Sequence, residues 1–486
     1  MSFIHCRTAA MVLIGVVVAA SPLCPWLCHA QMTSPTPSPQ GTPVTPKEAE
    51  QVQPETWAMH GQITNTWELQ PAFYSPYFKV GPHSLWPGAN GRETTDITAY
   101  LGLRPWQGAE LWANPTMDQG FGLSDTFGLA GYPSGEAYKI GRTTPYFKLD
   151  RAFFRQTINL GGETEKVDPD LNVLGGTQTA NRLVMTIGKF NVVDIFDTNK
   201  YAHDPRGDFL NWCIVDLGSF DYAADAWGFT YGAAAEWQQD WWTARVGLFD
   251  MSSTPNSIYL STRGFSQGQF CAELEERHTL WDQPGKFKVL YFLTKGNLAS
   301  YGNALAWGAE TGMPPDVEAV RRMRTKYGIG FNLEQQLVPD LGMFLRGGWC
   351  QGGVEEVDFT DVDVSVSGGL SLKGSHWGRP DDNVGLAFVV NQISSQAREY
   401  FWAGGLGGII GDGELTHAAP ELIFETYYNI AVVKFASPLT LVHAVPPGTG
   451  NGSLNITADY QLIINPAYNV DRGPVSVFGL RAHAEF

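Results

Sequence analysis

Apolar and polar residues alternate along the last ten positions of the chain, VFGLRAHAEF. Every second residue of this segment is apolar: Phe478, Leu480, Ala482, Ala484 and Phe486. Charged or ionisable residues lie between them: Arg481, His483 and Glu485. Because successive side chains of a β-strand point to opposite faces, this period of two predicts a strand with one apolar and one polar face. Taken alone, the pattern fits the edge strand of a soluble antiparallel sheet equally well.

The same alternation recurs in segments of about ten residues. Turns rich in Gly, Pro, Asn and Asp separate these segments. In 360–373 the apolar face comprises Val362, Val364, Val366, Leu370 and Leu372, and the polar face includes Asp361 and Asp363. The pattern also covers 326–336 and 268–278, and it returns in WWTARVGLFD, LGMFLRGGW, AWGFTYGAAAEW, DNVGLAFVVN, ELIFETYYNI and NITADYQLII. Counted from about Thr95, the segments predict roughly sixteen strands.

Two architectures fit such a set of strands. A soluble sandwich or propeller would bury the apolar faces, and its strands would be nearer five or six residues long. A transmembrane barrel turns its apolar faces to lipid and its polar faces to a wet lumen, with strands of about nine to eleven residues. The segment lengths and the charged minority face favour the barrel. The sequence therefore predicts an all-β, antiparallel transmembrane β-barrel of about sixteen strands around an aqueous channel.

The final aromatic residue, Phe486, bears on how such a barrel closes. Outer-membrane barrels typically end on a strand whose last residue is Phe, and their assembly machinery recognises that residue. We therefore expect two partners of this kind: outer-membrane lipid around the apolar face, and the barrel assembly machinery at Phe486.

The N-terminus has the features of a secretory signal peptide. Arg7 precedes an apolar run at 9–20, and small residues lead to a predicted cleavage site after Ala30. Residues 31–55 are rich in Pro, Thr and Gln and hold few apolar side chains, which predicts a disordered lead-in. The predicted organisation is a signal peptide at 1–30, the lead-in at 31–55 and a barrel domain at 56–486.

Composition and charge exclude several classes of protein. Hydrophobic residues make up 43% of the chain and the mean hydropathy is −0.15, and beyond the signal peptide no apolar run approaches the ~20 residues that a membrane helix needs. The formal net charge is −17 at pH 7, and removal of Arg7 makes the exported chain more acidic, so we expect no nucleic-acid partner. The exported part has three cysteines, Cys213, Cys271 and Cys350, and no CxxC or HxxxH spacing. We therefore expect neither a disulfide scaffold nor a metal or other cofactor.

Several long stretches carry a resemblance to a known family: TAYLGLRPWQGAELWANPTMDQGFGLSDTFGLAGYPSGEAYKIG, PYFKLDRAFFRQTINLGGE, GKFNVVDIFDTNKYAHDPRGDFLNW, FDYAADAWGFTYGAAAEW, WGRPDD, IGDG and NPAYNVDRGPVSVFGLRAHAEF. Over about 57–486 the chain resembles the carbohydrate-selective porin family of the OprB type. The resemblance implies a bacterial outer-membrane barrel of sixteen strands through which monosaccharides and related small sugars diffuse inward. It also implies loops that fold into the barrel and narrow it, and a channel in place of an enzyme.

A lumen that conducts sugars needs donors and acceptors for hydroxyl groups, and aromatic faces for the apolar side of the sugar ring. Alternation places Arg104, Glu110, Trp112 and Arg155 on the lumen side, with Tyr100, Arg151 and Phe153. Glu136 lies in the turn-rich stretch 114–144, a candidate constriction loop that also contains Asp118, Gln119, Asp125, Lys139 and Arg142. We expect five residues to form a sugar-binding constriction: Arg104, Glu110, Trp112, Glu136 and Arg155. The alternative is that these charges belong only to a solvated loop and wall.

The sequence leaves the roles of two other groups of residues open. His203, Asp204, Arg206 and Asp208 lie together in YAHDPRGDFLNW, which predicts an ion-paired loop plug as readily as a sugar contact. Asp361 and Asp363 are two residues apart and could hold a cation, but they lack the spacing of an EF-hand. We interpret these two aspartates as charges that line the lumen.

One motif keeps an enzyme among the alternatives. The segment GFSQG at 264–268 formally matches the nucleophile-elbow pattern around Ser266, although it precedes a strand where an elbow should follow one. Three function classes remain, in descending order: a passive sugar porin, an outer-membrane barrel hydrolase that uses Ser266, and a soluble periplasmic sugar-binding β protein.

Overall fold

The computed structural model describes residues 41–49, 52–76, 82–137, 141–261, 266–436 and 451–486. The predicted signal peptide at 1–30, the first part of the predicted lead-in at 31–40, and Lys139 lie outside the described residues. Among the residues that are described, no helix has both the length and the hydropathy needed to cross a bilayer.

Sixteen strands form one closed antiparallel barrel. They are β1 Trp57–Gln70, β2 Asn90–Leu103, β3 Ala109–Gly120, β4 Arg142–Val167, β5 Gly176–Phe190, β6 Thr230–Gln238, β7 Trp242–Phe249, β8 Gly268–Leu280, β9 Gln283–Leu298, β10 Arg322–Val338, β11 Leu341–Cys350, β12 Val364–Lys373, β13 Asn383–Gln392, β14 Glu421–Ala436, β15 Asn451–Ile464 and β16 Val475–Glu485. Each strand pairs with the next along the chain. The barrel closes where β16 pairs with β1, for example Phe478 with Leu69 and Glu485 with Gln62.

The predicted fold class is therefore confirmed, including the number of strands. The count from about Thr95 started too late, because β1 and the first residues of β2 lie before that position. The described residues also form four helices that are not part of the wall: α1 Pro46–Ala49, α2 Trp212–Val215, α3 Tyr301–Thr311 and α4 Ser395–Trp402. Short 3-10 turns occur at Leu123–Thr126, Val192–Asp194, Glu318–Val320, Gly374–Trp377 and Pro466–Tyr468.

Connections between strands differ in length at the two ends of the barrel. At one end they are short, as at 281–282 between β8 and β9 and at 339–340 between β10 and β11. At the other end they are long, as at 191–229 between β5 and β6 and at 393–420 between β13 and β14. We call these the short-turn end and the long-loop end. β1 begins and β16 ends at the short-turn end.

The two faces of the wall follow the predicted alternation. In β16, Phe478 and Leu480 are 47% and 50% exposed on the outer face, whereas Arg481 is 1% exposed on the lumen face. In β10, Ile329 is exposed and Glu334 is buried in the same manner. The outer face is thus apolar and exposed, and the polar lumen face is buried because loops fill much of the lumen.

The alternation predicted for 360–373 is wrong at its beginning. β12 starts only at Val364, and Val362, assigned to the apolar outer face, is 4% exposed and belongs to the buried core. A turn breaks the period, since the backbone N–H of Val362 donates to the carbonyl of Thr360 at 3.1 Å. Asp361 and Asp363 precede the strand, and Asp363 accepts the backbone N–H of Ser394 at 2.6 Å. These aspartates anchor loops and do not line an open channel.

Carboxylates of the wall hold the long loops inside the barrel. Glu425 on β14 accepts the backbone N–H groups of Leu210 (2.5 Å) and Asn211 (3.0 Å). Glu421, also on β14, accepts the N–H of Gly131 at 2.6 Å. The loops 121–141 and 191–229 are therefore fixed against the same strand, as the prediction of inward-folded loops requires.

Part of the predicted disordered lead-in is ordered. Thr42 and Pro43 pair with Lys166 and Glu165 of β4, and the backbone N–H of Val44 donates to the carbonyl of Thr164 at 2.9 Å. The disorder predicted for 31–55 therefore does not extend over 41–49. Composition predicted it because the segment is poor in apolar residues, but strand β4 is long enough to offer it a free edge.

Candidate functional site

The lumen contains a cavity of about 120 Å³. Residues of the loops 121–141 and 191–229 supply much of its lining, and β4 contributes part of the wall. A buried water needs roughly 10–15 Å³ of such volume, so the cavity has room for several waters or a hydrated solute. Its lining includes acidic, basic and aromatic side chains: Glu136, Arg151, Asp194, Arg206, Trp212 and Tyr222.

Opposed charges lie close together in the lining of the cavity. The Nε atom of Arg206 is 3.4 Å from Oε1 of Glu136 and 3.6 Å from Oδ1 of Asp96. Arg151 donates to both carboxylate oxygens of Asp194, at 2.7 Å and 2.5 Å. A solute in the cavity therefore meets strong donors and strong acceptors side by side.

Burial changes the acid–base properties of this charged group. Burial raises the pKa of Glu136 to about 7; Arg206 opposes the change by stabilising the carboxylate, and Asp96 and Asp204 add to it. The pKa of His203 is lowered, because burial and the positive charge of Arg346 disfavour the imidazolium form. The net charge of the cavity therefore changes near neutral pH.

Aromatic rings line another part of the cavity. The rings of Trp212 and Phe359 have centroids 4.7 Å apart, and those of Tyr222 and Phe359 are 4.6 Å apart. Trp212 is the first residue of α2, and the side chain of Asn211 caps that helix. The cap fixes the direction in which α2 starts and so positions the Trp212 ring, which offers an apolar face to a solute.

Several buried lining atoms have no hydrogen-bond partner among the described residues, and Oγ1 of Thr126 and Nδ2 of Asn256 are two of them. A buried polar group that is left unpaired costs about 1–3 kcal/mol. The lining thus favours a solute that can both accept and donate hydrogen bonds.

The five residues predicted for the constriction separate into two places. Glu136 lines the cavity beside Arg206. Arg104, Glu110, Trp112 and Arg155 instead form one cluster near the short-turn end. Within that cluster Glu110 is 3.5 Å from Arg104 and 3.0 Å from Arg155, and it accepts the indole N–H of Trp112 at 3.0 Å.

The predicted constriction loop 114–144 is too long at both ends. Strand β3 extends to Gly120 and β4 begins at Arg142, so the loop comprises only 121–141. Asp118 lies on the wall, where its carboxylate is 2.8 Å from Nζ of Lys148. The turn-rich composition hid the end of β3, because Pro115 lies there at an irregularity in the pairing of β3 with β4.

The sequence does not predict two of the lining residues, and it leaves the role of a third open. Trp212 and Tyr222 were not nominated, because they lie in a loop, where strand alternation gives no direction. For Arg206 the sequence leaves open whether it belongs to an ion-paired loop plug or contacts a sugar. In the structure it pairs with Asp96 and Glu136, which lie in other segments of the chain. The signal for this region was the charged and aromatic composition of YAHDPRGDFLNW.

Ser266 is in a different setting from a catalytic serine. It precedes β8, is exposed, and its hydroxyl lies 3.5 Å from that of Ser261. Among the described residues it has no hydrogen bond to a histidine or a carboxylate, and no group of three or more His, Cys, Asp or Glu side chains is placed to hold a metal ion. Cys213, Cys271 and Cys350 are free and buried.

A closed sixteen-stranded barrel with an apolar outer face and a charged, aromatic lumen defines the class of outer-membrane channels. A model of the family described as "Carbohydrate-selective porin, OprB family" matches residues 92–435. The chain belongs to this family. It is an outer-membrane porin for carbohydrates, located in the bacterial outer membrane, so its short-turn end is the periplasmic end and its long-loop end faces the exterior.

The chain is also similar to solved structures. OprB of Pseudomonas putida at high pH is 14% identical, with 89% of this chain and 94% of that chain covered and a TM-score of 0.63. OccAB1 of Acinetobacter baumannii is 12% identical, with coverages of 88% and 96% and a TM-score of 0.44. DcaP, an outer-membrane channel of Acinetobacter baumannii, is 10% identical, with coverages of 88% and 97% and a TM-score of 0.43. No curated protein matches this chain in sequence.

Proposed function

We propose that monosaccharides and similar small sugars cross the barrel by passive diffusion. On the way they bind weakly in the cavity lined by Glu136, Arg206 and Trp212, which we call the central cavity. A porin has no energy source, so its selectivity must come from a site that favours the solute yet releases it. Glu136 and Arg206 would bond sugar hydroxyls, and the ring of Trp212 would meet the apolar face of the sugar. The paired charges also keep any one ion from dominating the pore.

The proposal rests on one observation: three kinds of chemical group line the same cavity. Ion-paired side chains, aromatic rings and unpaired polar atoms all line it. A path for ions alone would need no aromatic faces, and a path for apolar solutes would need no buried charges. A small polyhydroxylated ring uses both kinds of surface.

We propose further that the chain has no catalytic activity and that Ser266 is a structural loop residue. Its exposed hydroxyl beside Ser261 supports this view, since an activated serine needs a base within hydrogen-bond reach. Ser266→Ala should therefore leave sugar transport and conductance unchanged. Hydrolysis of ester substrates by the wild type that this substitution removes would contradict the proposal.

Lipid and the assembly machinery are the partners that we propose outside the lumen. Apolar side chains such as Leu480 cover the outer face. Phe486 exchanges backbone hydrogen bonds with Gly61 of β1, at 2.7 Å and 2.9 Å, so it lies at the closing seam. Deletion of Phe486 should reduce the amount of heat-modifiable barrel in the outer membrane. A normal yield from the deletion variant would argue against recognition at this residue.

The test of transport uses purified protein in planar bilayers. We expect monosaccharides to reduce the ion current in a saturable manner. A linear polyol of the same carbon number is the control, because it carries the hydroxyl groups but no ring face, and we expect it to block the current less. A current that no sugar reduces at any concentration would contradict a binding site in the cavity.

A further inference from the structure

The turn between β4 and β5, residues 168–175, folds into the periplasmic mouth of the barrel; we call it the inner turn. Connections at a barrel end normally remain solvated. In this turn, however, Leu171 and Leu174 are only 5% and 1% exposed, and Val173 is buried with them. Residues 171–175 of the inner turn are therefore packed against other parts of the protein, whereas Asp168 and Pro169 remain exposed.

Two arginines hold the inner turn by its carbonyl groups. Arg104 donates to the carbonyl oxygens of Leu174 and Gly175, both at 3.0 Å. Arg155 donates to the carbonyl oxygen of Asn172 at 2.8 Å. Because the side chain of Arg155 points from β4 into the lumen, its contact shows that the tip of the turn lies on the lumen side of the wall.

Glu110 joins the two arginines into one network. Its Oε1 atom is 3.5 Å from Arg104, and its Oε2 atom is 3.0 Å from Arg155. The indole N–H of Trp112 donates to the same carboxylate at 3.0 Å. Both guanidinium groups are thereby oriented toward the turn. On the far side, Glu55 accepts the backbone N–H of Gly175 at 2.8 Å.

Asn172 gives the tip of the inner turn a polar character. Its φ angle is +59°, in the left-handed region that asparagine tolerates better than most residues. Its side chain is buried, and neither amide atom has a hydrogen-bond partner among the described residues. The buried amide therefore leaves a donor and an acceptor unpaired at the tip, next to Arg155.

We propose that the inner turn forms a constriction at the periplasmic mouth, separate from the central cavity, and that it sets the largest sugar that can leave the channel. Arg104 and Arg155 are positioning residues that hold it in place, and Asn172 occupies its tip. This inference rests on the proposed function, because it concerns the exit of the same permeants.

Release of the turn provides the first test. Each lost hydrogen bond to a charged group corresponds to at least about a tenfold change in the fraction of time that the turn is displaced. Arg104→Met combined with Arg155→Met should raise ion conductance, and it should raise the entry of trisaccharides into proteoliposomes about tenfold or more. The half-block concentration for monosaccharides should stay within a factor of about two, because the central cavity sets it.

Arg379→Met is the matched control. Arg379 also lies at the periplasmic end and binds a backbone carbonyl, that of Ala431 at 3.0 Å, but it contacts no part of the inner turn among the described residues. This variant should leave the size limit unchanged. If the double variant also leaves both conductance and trisaccharide entry unchanged, the inner turn is not a constriction.

A second variant keeps the test decisive if the double variant does not assemble. Asn172→Trp enlarges the tip without touching the arginines, and it should lower both monosaccharide flux and conductance. Unchanged flux in an assembled, heat-modifiable Asn172→Trp barrel would overturn the proposal. The proposal would also be overturned if this variant changed the monosaccharide half-block concentration strongly and left the size limit unaltered. Such a result would show that the mouth binds sugars and does not limit their size. If the wild type conducts ions but no sugar reduces its current, the proposed binding cavity fails, while the size limit can still be measured.

Discussion

The outer face and the lumen face of the same strands obey different rules. On β16, Leu480 is exposed on the outer face, and nothing from a distant segment is needed to explain its direction. Its neighbour Arg481 points inward, where its guanidinium donates to the carbonyl of Asp208 and to Oγ1 of Thr457, both at 2.9 Å. Lipid is a uniform medium, so an outer residue has only to be apolar. A lumen residue has an individual partner, so alternation determines its direction and not its role.

The largest expected effect tests the outer face by depth. Phe331 and Met323 both point outward from β10, the first near the middle of the strand and the second near its long-loop end. Phe331→Arg should lower the free energy of unfolding by about 2–4 kcal/mol, and Met323→Arg by about 1 kcal/mol or less, because the cost of a charge falls toward the interface. Denaturant unfolding of the protein in lipid vesicles measures both. Equal losses would mean that β10 does not cross the bilayer as described.

A slightly smaller effect is expected from an anchor on the lumen face. Glu425→Ala removes the acceptor for the backbone N–H groups of Leu210 and Asn211, and it should lower the free energy of unfolding by about 1.5–3 kcal/mol. The loop 191–229 should also become more mobile, which single-channel recordings would detect as increased current noise. Glu425→Gln retains one acceptor oxygen and should show a milder form of both changes. A quiet channel of normal stability in the Ala variant would show that the loop has other sufficient anchors.

Within the cavity, the expected change is in sugar binding and not in stability. Arg206→Gln removes the charged donor beside Glu136 and Asp96, so the monosaccharide half-block concentration should rise roughly tenfold. Lys434→Gln is the control, because Lys434 is an exposed residue paired with Asp381. If monosaccharides block the current through the Arg206→Gln variant at the same concentration as through the wild type, the sugar does not contact this arginine.

The smallest expected effect is the pH dependence of ion selectivity. The pKa of Glu136 in the folded protein is about 7, compared with its usual value of 4.5, because the carboxyl group is buried. As pH rises through 7 the cavity gains a negative charge, so cation permeability relative to anions should increase between about pH 6 and 8. Because the pKa of Glu136 is higher in the folded than in the unfolded protein, its contribution to stability is present in full below pH 4.5. That contribution is lost as the pH rises from 4.5 through about 7. Reversal potentials across a salt gradient measure the selectivity. Glu136→Gln should flatten the profile, and a wild-type profile that is already flat would exclude titration of Glu136 in this range.

The sequence alone determined the wall of the barrel. Strand alternation depends on neighbours two residues apart, so the outward direction of Phe478 and the inward direction of Arg481 could be read from ten residues. The inward directions of Glu110 and Arg155 followed from the same rule. It failed at Val362, where a turn outside the strand changed the period.

Only the tertiary structure decided what the inward residues contact. Arg155, nominated for the sugar site, donates to the backbone carbonyl of Asn172, and Glu136 is paired with Arg206 from a separate loop. Such contacts join segments whose separation in sequence carries no period, and the direction of a loop side chain depends on anchors such as Glu425 on a distant strand. A repeating pattern can encode a wall that meets uniform lipid, whereas the width and chemistry of the channel depend on how individual loops pack inside that wall.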